Sequence, residues 1–99
     1  MGIDINLQGE NGEILESVGD PRRLLSKLLP NGGFSLLSGI DRYGDTTFNR
    51  LQMDPFLQEW AHLHSKAATS EQVKLLGEIE ELALKCRDGR NLYLKFVGD

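Results

Sequence analysis

Hydrophobic and polar residues alternate at three places along the chain and recur at helical spacing at three others. Ile3, Ile5 and Leu7 alternate with Asp4, Asn6 and Gln8, the period of a strand with one buried face. Gly9-Glu10-Asn11-Gly12 supplies a turn containing an Asn-Gly pair, and Ile14, Glu16 and Val18 set against Leu15 and Ser17 predict a returning strand, hence a β-hairpin. Asp20-Pro21 reads as a helix cap followed by proline at the first helical position. Leu24, Leu25, Leu28 and Leu29 then place a leucine stripe on a short helix that Pro30 ends. Pro30-Asn31-Gly32-Gly33 is a loop by composition. The run from Phe34 to Ile40 is read as a strand although it lacks clean alternation and contains Gly39. Asp41-Arg42-Tyr43-Gly44-Asp45 follows as a turn, with Thr46-Thr47-Phe48 as a short extended piece behind it.

The second half is helical. Asp54-Pro55 repeats the cap-plus-proline signal, and Phe56, Leu57, Trp60, Ala61, Leu63 and Ala67 define the inward face of the helix that it opens. Thr69 and Gln72 have capping-box spacing at the head of Ser70 to Arg87, the chain's dominant element. At about 100° per residue its apolar side chains, Val73 through Cys86, span an arc of roughly 200°, wide enough to demand cover on two sides. The two helices are expected to form an antiparallel hairpin. Asp88-Gly89 stops the second, and Leu92, Leu94 and Phe96 alternate with Tyr93, Lys95 and Val97 in a final strand that is apolar on both faces and therefore central in its sheet. The fold class is α+β: a small antiparallel sheet, made of the N-terminal hairpin, the Phe34 to Ile40 segment and the last strand, packed by the helical hairpin plus a short helix.

Ninety-nine residues make one domain with a single modest core, so any site must lie on that core's rim. The formal charge of −4 arises from interspersed signs, and no basic run exceeds Arg22-Arg23. That pattern argues against nucleic acid as a partner. The lone Cys86 falls on the packed side of the long helix and has no internal disulfide partner. No secretory leader pattern opens the sequence, Asn6 stands where an N-acylation motif has Ser or Thr, and no apolar run suits a membrane span. The expected setting is cytoplasmic, with no membrane association and an oligomeric state that composition leaves open.

The segments I-D-R-Y-G-D-T-T-F-N-R-L-Q-M (Ile40 to Met53) and N-L-Y-L-K-F-V-G-D (Asn91 to Asp99) resemble those of a group of short bacterial proteins with no established activity. The resemblance implies a bacterial, intracellular protein and transfers no site.

Candidate chemistry centres on Asp41, Arg42, Tyr43, Asp45, Thr46, Asn49 and Arg50, the densest polar cluster. Two carboxylates four residues apart can share a proton or hold a water, and an adjacent Arg can orient an anion; the plainer reading has both aspartates accepting backbone N–H bonds in turns. Calcium-loop spacing is absent. His62 and His64, at i and i+2 of a helix, point roughly 200° apart and cannot jointly hold an ion; His64 falls on the apolar face, whereas His62 faces solvent with Glu59 and Lys66. No nucleophile elbow, phosphate loop or dinucleotide fingerprint occurs, and no cofactor or metal is implied. Glu80 projects from within the apolar arc of the long helix. Either it reaches solvent past its neighbours or it is held by Arg87, Arg50 or Tyr43, which would create a polar pocket against the Asp41 to Arg50 segment.

Two functions fit. The first is a non-enzymatic binding or regulatory protein that acts through protein–protein contacts. The second is a small enzyme or ligand-binding domain whose acidic pocket is formed by Asp41, Asp45 and Glu80 as acid and base, with Arg50 as anion clamp and Tyr43 and Asn49 as further candidate ligand-binding residues.

Overall fold

The computed structural model describes residues 2–20, 22–30 and 32–98. Pro21 and Asn31, assigned above to a helix start and a loop, lie outside that set. Strands β1 (Asp4–Gln8), β2 (Ile14–Val18), β3 (Asp45–Asn49) and β4 (Tyr93–Val97) form one antiparallel sheet in the order β2-β1-β4-β3. The α+β class, the hairpin and the central position of β4 agree with the alternation. Register explains why one face is apolar: Ile5 lies opposite Phe96, and Leu94 is flanked by Leu7 on one side and Phe48 on the other. The other face carries Asp4, Asn6, Thr47, Lys95 and Asp45. Asn6 is nearly buried there and accepts a hydrogen bond from the Ser17 hydroxyl at 2.8 Å.

Helices α1 (Leu24–Leu28), α2 (Met53–Ser65) and α3 (Ser70–Asp88) share a single core with the apolar sheet face. At its centre Phe48, Phe56, Trp60 and Phe96 pack with ring centroids 5.3 to 6.3 Å apart. Burial of such side chains stabilises by about 1.5–3 kcal/mol each before ordering costs. Trp60 Nε1 donates to the Leu76 carbonyl at 3.0 Å, tying α2 to α3 without leaving a buried polar group unpaired. Thr69 and Gln72 close the expected capping box on α3, where the Thr69 hydroxyl accepts from Gln72 N at 3.1 Å.

The structure departs from the sequence pattern at three places. Phe34 to Ile40 is not a strand; it is a loop with a 3-10 turn at Leu37–Gly39. Its backbone donors are taken by side chains and by the turn itself, not by a ladder: Glu59 accepts from Leu36 N and Leu37 N at 3.0 and 2.9 Å, Ser38 Oγ accepts from Phe34 N at 3.2 Å, and Gly39 N and Ile40 N donate to the Leu36 and Leu37 carbonyls. The fourth strand is the extended piece behind the turn, β3. Second, Asp54-Pro55 falls inside the first turn of α2 and does not cap it. Asn49 instead caps a 3-10 turn (Arg50–Gln52) that leads into the helix, forming a capping box with Gln52, and the N-cap position of α2 itself is Gln52. Third, α1 begins at Leu24, later than the Asp20-Pro21 signal placed it. Asp20 still serves its donors, accepting from Leu24 N and Leu25 N at 2.9 and 2.7 Å, while Arg23 takes the left-handed conformation that turns the chain into the helix.

Candidate functional site

The polar cluster from Asp41 to Arg50 straddles β3, and the strand separates it into two places. With a rise of about 3.3 Å per residue, Asp45 and Asn49 at the two ends of β3 lie roughly 13 Å apart.

At the first end the chain makes a tightly held turn. Asp41 Oδ1 accepts from Tyr43 N at 2.8 Å, an Asx turn, and Asp41 N donates to Thr46 Oγ1 at 2.9 Å. Arg42 reaches back to α1, where Nε and Nη2 donate to the Ser26 carbonyl at 3.3 and 3.2 Å and Nη2 donates to that of Leu29 at 3.0 Å. A guanidinium thus satisfies carbonyls that the helix end leaves unpaired. From the other side Gly98 N donates to the Gly44 carbonyl at 2.7 Å. Glycine is needed at position 98, where a Cβ would sit 2.5 Å from the Arg42 carbonyl; a Cβ on Gly44 would meet only the Asp41 carboxylate, at 2.6 Å from Oδ2. Asp45 pairs with Lys95 of β4 at 3.3 Å. Tyr43, at the tip, is 82% exposed. An aromatic side chain is therefore held out in water on an immobilised backbone between two carboxylates.

At the second end Asn49 accepts from Gln52 N at 3.1 Å and its own N–H donates to Gln52 Oε1 at 2.9 Å. Arg50 Nη1 approaches the Gly89 carbonyl at 3.4 Å, and Leu51 is 81% exposed. Together with Arg90, Asn91 and Tyr93 these residues line a hollow of about 580 Å3. Arg90 and Asn91 escape a sequence reading because they lie forty residues downstream of Arg50. The pairing of Asn49 with Tyr93 across β3 and β4 is what brings the two stretches together.

Glu80 joins neither place. It is half-buried on α3 and, among the described residues, takes part in no hydrogen bond or ion pair. The arginines proposed to hold it are engaged elsewhere. Arg50 is at the Gly89 carbonyl, and Arg87 Nε donates to Asp88 Oδ1 at 2.9 Å, a contact that lowers the Asp88 carboxyl and raises the Arg87 guanidinium from their ordinary values. The sheet also intervenes: Asp45 projects from the polar face, whereas α3 packs on the apolar one. None of the three hollows described is lined by Asp41, Asp45 or Glu80.

The carboxylates with the most specific partners are Asp20 and Glu59, which act as clamps on backbone N–H groups. Glu59 is consequently not the solvent-facing neighbour of His62 that helical periodicity suggests. His62 is exposed with its ring 5.8 Å from that of Phe34, and His64 is half-buried. Cys86 is buried, with Sγ directed at the Leu92 carbonyl at 3.5 Å, and burial pushes its thiol up to about 11. Among the described residues no group of three or more His, Cys, Asp or Glu is placed to hold a metal ion, and no helix is long and apolar enough to cross a membrane. Comparison with protein-family models, with curated proteins and with solved structures returned no match.

Proposed function

We propose that this chain is a non-catalytic binding protein that engages a protein partner through the Asp41–Asp45 turn, with Tyr43 as the central contact. The observation that carries this reading is the combination of an 82% exposed tyrosine with a backbone pinned from both sides. A tyrosine has only two side-chain torsions to order, so a ring already presented on a rigid turn binds at low entropic cost. Buried aromatic anchors of this kind dominate interface energies. The flanking Asp41 and Asp45, on a chain of net charge −4, favour a partner that surrounds an apolar cleft with basic residues. The bacterial cytoplasm is the setting that the resemblance of Ile40 to Met53 and Asn91 to Asp99 suggests.

An acid–base centre has less support. Asp41 is committed to its own turn and Asp45 to Lys95, and neither lines any of the three hollows described. The test is capture from extracts of the cell that makes the protein, using wild type, Tyr43→Ser and Leu51→Ser as bait. A partner retained by wild type and Leu51→Ser but lost with Tyr43→Ser is the expected result. Equal retention by Tyr43→Ser would move the contact away from the turn.

A further inference from the structure

The second end of β3 has the chemistry of a different site. Arg50 and Arg90 line a hollow of about 580 Å3 with Asn49, Asn91, Leu51 and Tyr93, and no carboxylate is among its lining residues. This is unusual for a chain with 15 acidic and 11 basic residues. The other two hollows described include Asp20, Glu71 and Glu78 in one case and Glu59 in the other. The nearby Asp88 is paired with Arg87. Among the described residues Arg90 has no ion-pair partner, and Arg50 has only the long contact to a carbonyl. Two guanidinium groups bordering one hollow with no carboxylate among its lining residues make it favourable to an anion.

A second observation points to the same place. Asn91 has φ of 55°, one of two non-glycine residues with positive φ among those described. That conformation is uncommon outside glycine and is tolerated best by asparagine and aspartate. Asn91 follows Arg90 and stands two residues before the start of β4. Residues held this way concentrate at ligand sites.

We infer that this hollow binds a small organic oxyanion, a phosphate or carboxylate carried on an apolar or aromatic body. Arg50 and Arg90 take the anion, and Leu51 and Tyr93 take the body. Guanidinium groups present parallel N–H donors that match two oxygens of a phosphate or carboxylate. The Asn49 carboxamide has its oxygen engaged in the capping box, leaving its NH2 to donate, and Asn91 supplies a second carboxamide. The volume lies within the range of small-ligand sites. This site is independent of the Tyr43 contact and stands or falls without it.

Phenyl phosphate, benzoate and inorganic phosphate are the probes, titrated at constant ionic strength into 15N-labelled protein. The expected result is saturable shifts confined to residues 49–51 and 90–93, with phenyl phosphate binding more tightly than inorganic phosphate. Whichever of phenyl phosphate and benzoate binds more tightly identifies the anion. Arg50→Met and Arg90→Met should each weaken binding by about tenfold or more, and Arg50→Lys, which keeps the charge but loses the fork, by less. Lys74→Met, in a different hollow, should change nothing. Amide spectra that match wild type away from the hollow show that each variant is folded, and having two single-arginine variants guards against one that is not. Shifts scattered over all basic residues, shifts reproduced by sodium chloride alone, or wild-type affinity in both arginine variants would overturn the site.

Discussion

The two ends of β3 belong to one continuous polar stretch, yet they differ in charge, shape and in how their side chains are used. At the Asp45 end the chain spends its polar groups on itself. Asp41 closes a turn, Arg42 covers the end of α1, Asp45 pairs with Lys95, and Tyr43 is left 82% exposed with no hydrogen bond from its side chain among the described residues. At the Asn49 end a capping box secures the backbone while two arginines and an exposed leucine border a hollow. A convex, rigid, acidic tip suits a macromolecular surface, and a concave basic hollow suits a small anion. Charge density along a sequence therefore marks where polar chemistry is concentrated without saying how many sites it makes, because one short strand is enough to divide it.

The largest expected effect is at the joint that makes the tip rigid. Gly98→Ala forces a methyl group against the Arg42 backbone and should lower stability by about 2–3 kcal/mol, read from urea midpoints. A neutral result would mean that the turn is loose and that its rigidity cannot explain the exposure of Tyr43. At the basic end the corresponding probe is Cys86, whose Sγ touches the Leu92 carbonyl beside the hollow. Its pKa rises from 9.0 to about 11, so at pH 8 the folded thiolate population should be about a hundredfold smaller than in the unfolded chain. Labelling by a thiol reagent should be slower in the native state by at least that factor. Because the folded pKa is the higher one, the contribution of Cys86 to stability is intact below pH 9 and is lost as pH rises through about 11. Native labelling at the unfolded rate would show that the basic end opens readily.

Two smaller effects compare the fastenings themselves. Arg42→Met removes the hydrogen bonds to Ser26 and Leu29 and should cost about 1.5–3 kcal/mol, whereas Asn49→Ala removes a cap and should cost about 1 kcal/mol. The reverse order would make the hollow, not the turn, the more firmly built end. The smallest stability effect belongs to Tyr43→Ala, expected within about 0.5 kcal/mol because the ring is exposed. A larger loss would mean that the ring supports the fold and is not kept for a partner.

Much of the architecture is legible because it rests on local rules. Ile3, Ile5 and Leu7 alternate and form a strand edge to edge with an equally regular β4; Thr69 and Gln72 have capping-box spacing and form the box. What escapes is what depends on distant partners. Phe34 to Ile40 reads as a strand until Glu59, more than twenty residues on, takes its backbone donors. Glu80 attracts attention as a carboxylate on an apolar arc, but it is only half-buried and stays in contact with water. Within the candidate set, Tyr43 stands out only when its exposure is known, and Arg50 acquires Arg90 and Asn91 only through the register of β3 with β4. The residue types were in view from the start; their grouping was a matter of topology.

We propose that the tip, and not the hollow, meets a protein partner. That contact is tested most directly by placing a photo-crosslinking amino acid at position 43 or at position 51 and irradiating the cells that normally make the protein. Position 43 is expected to yield a discrete protein adduct and position 51 none. An adduct from position 51 alone, or none from position 43 when the protein is folded and expressed, would contradict the account.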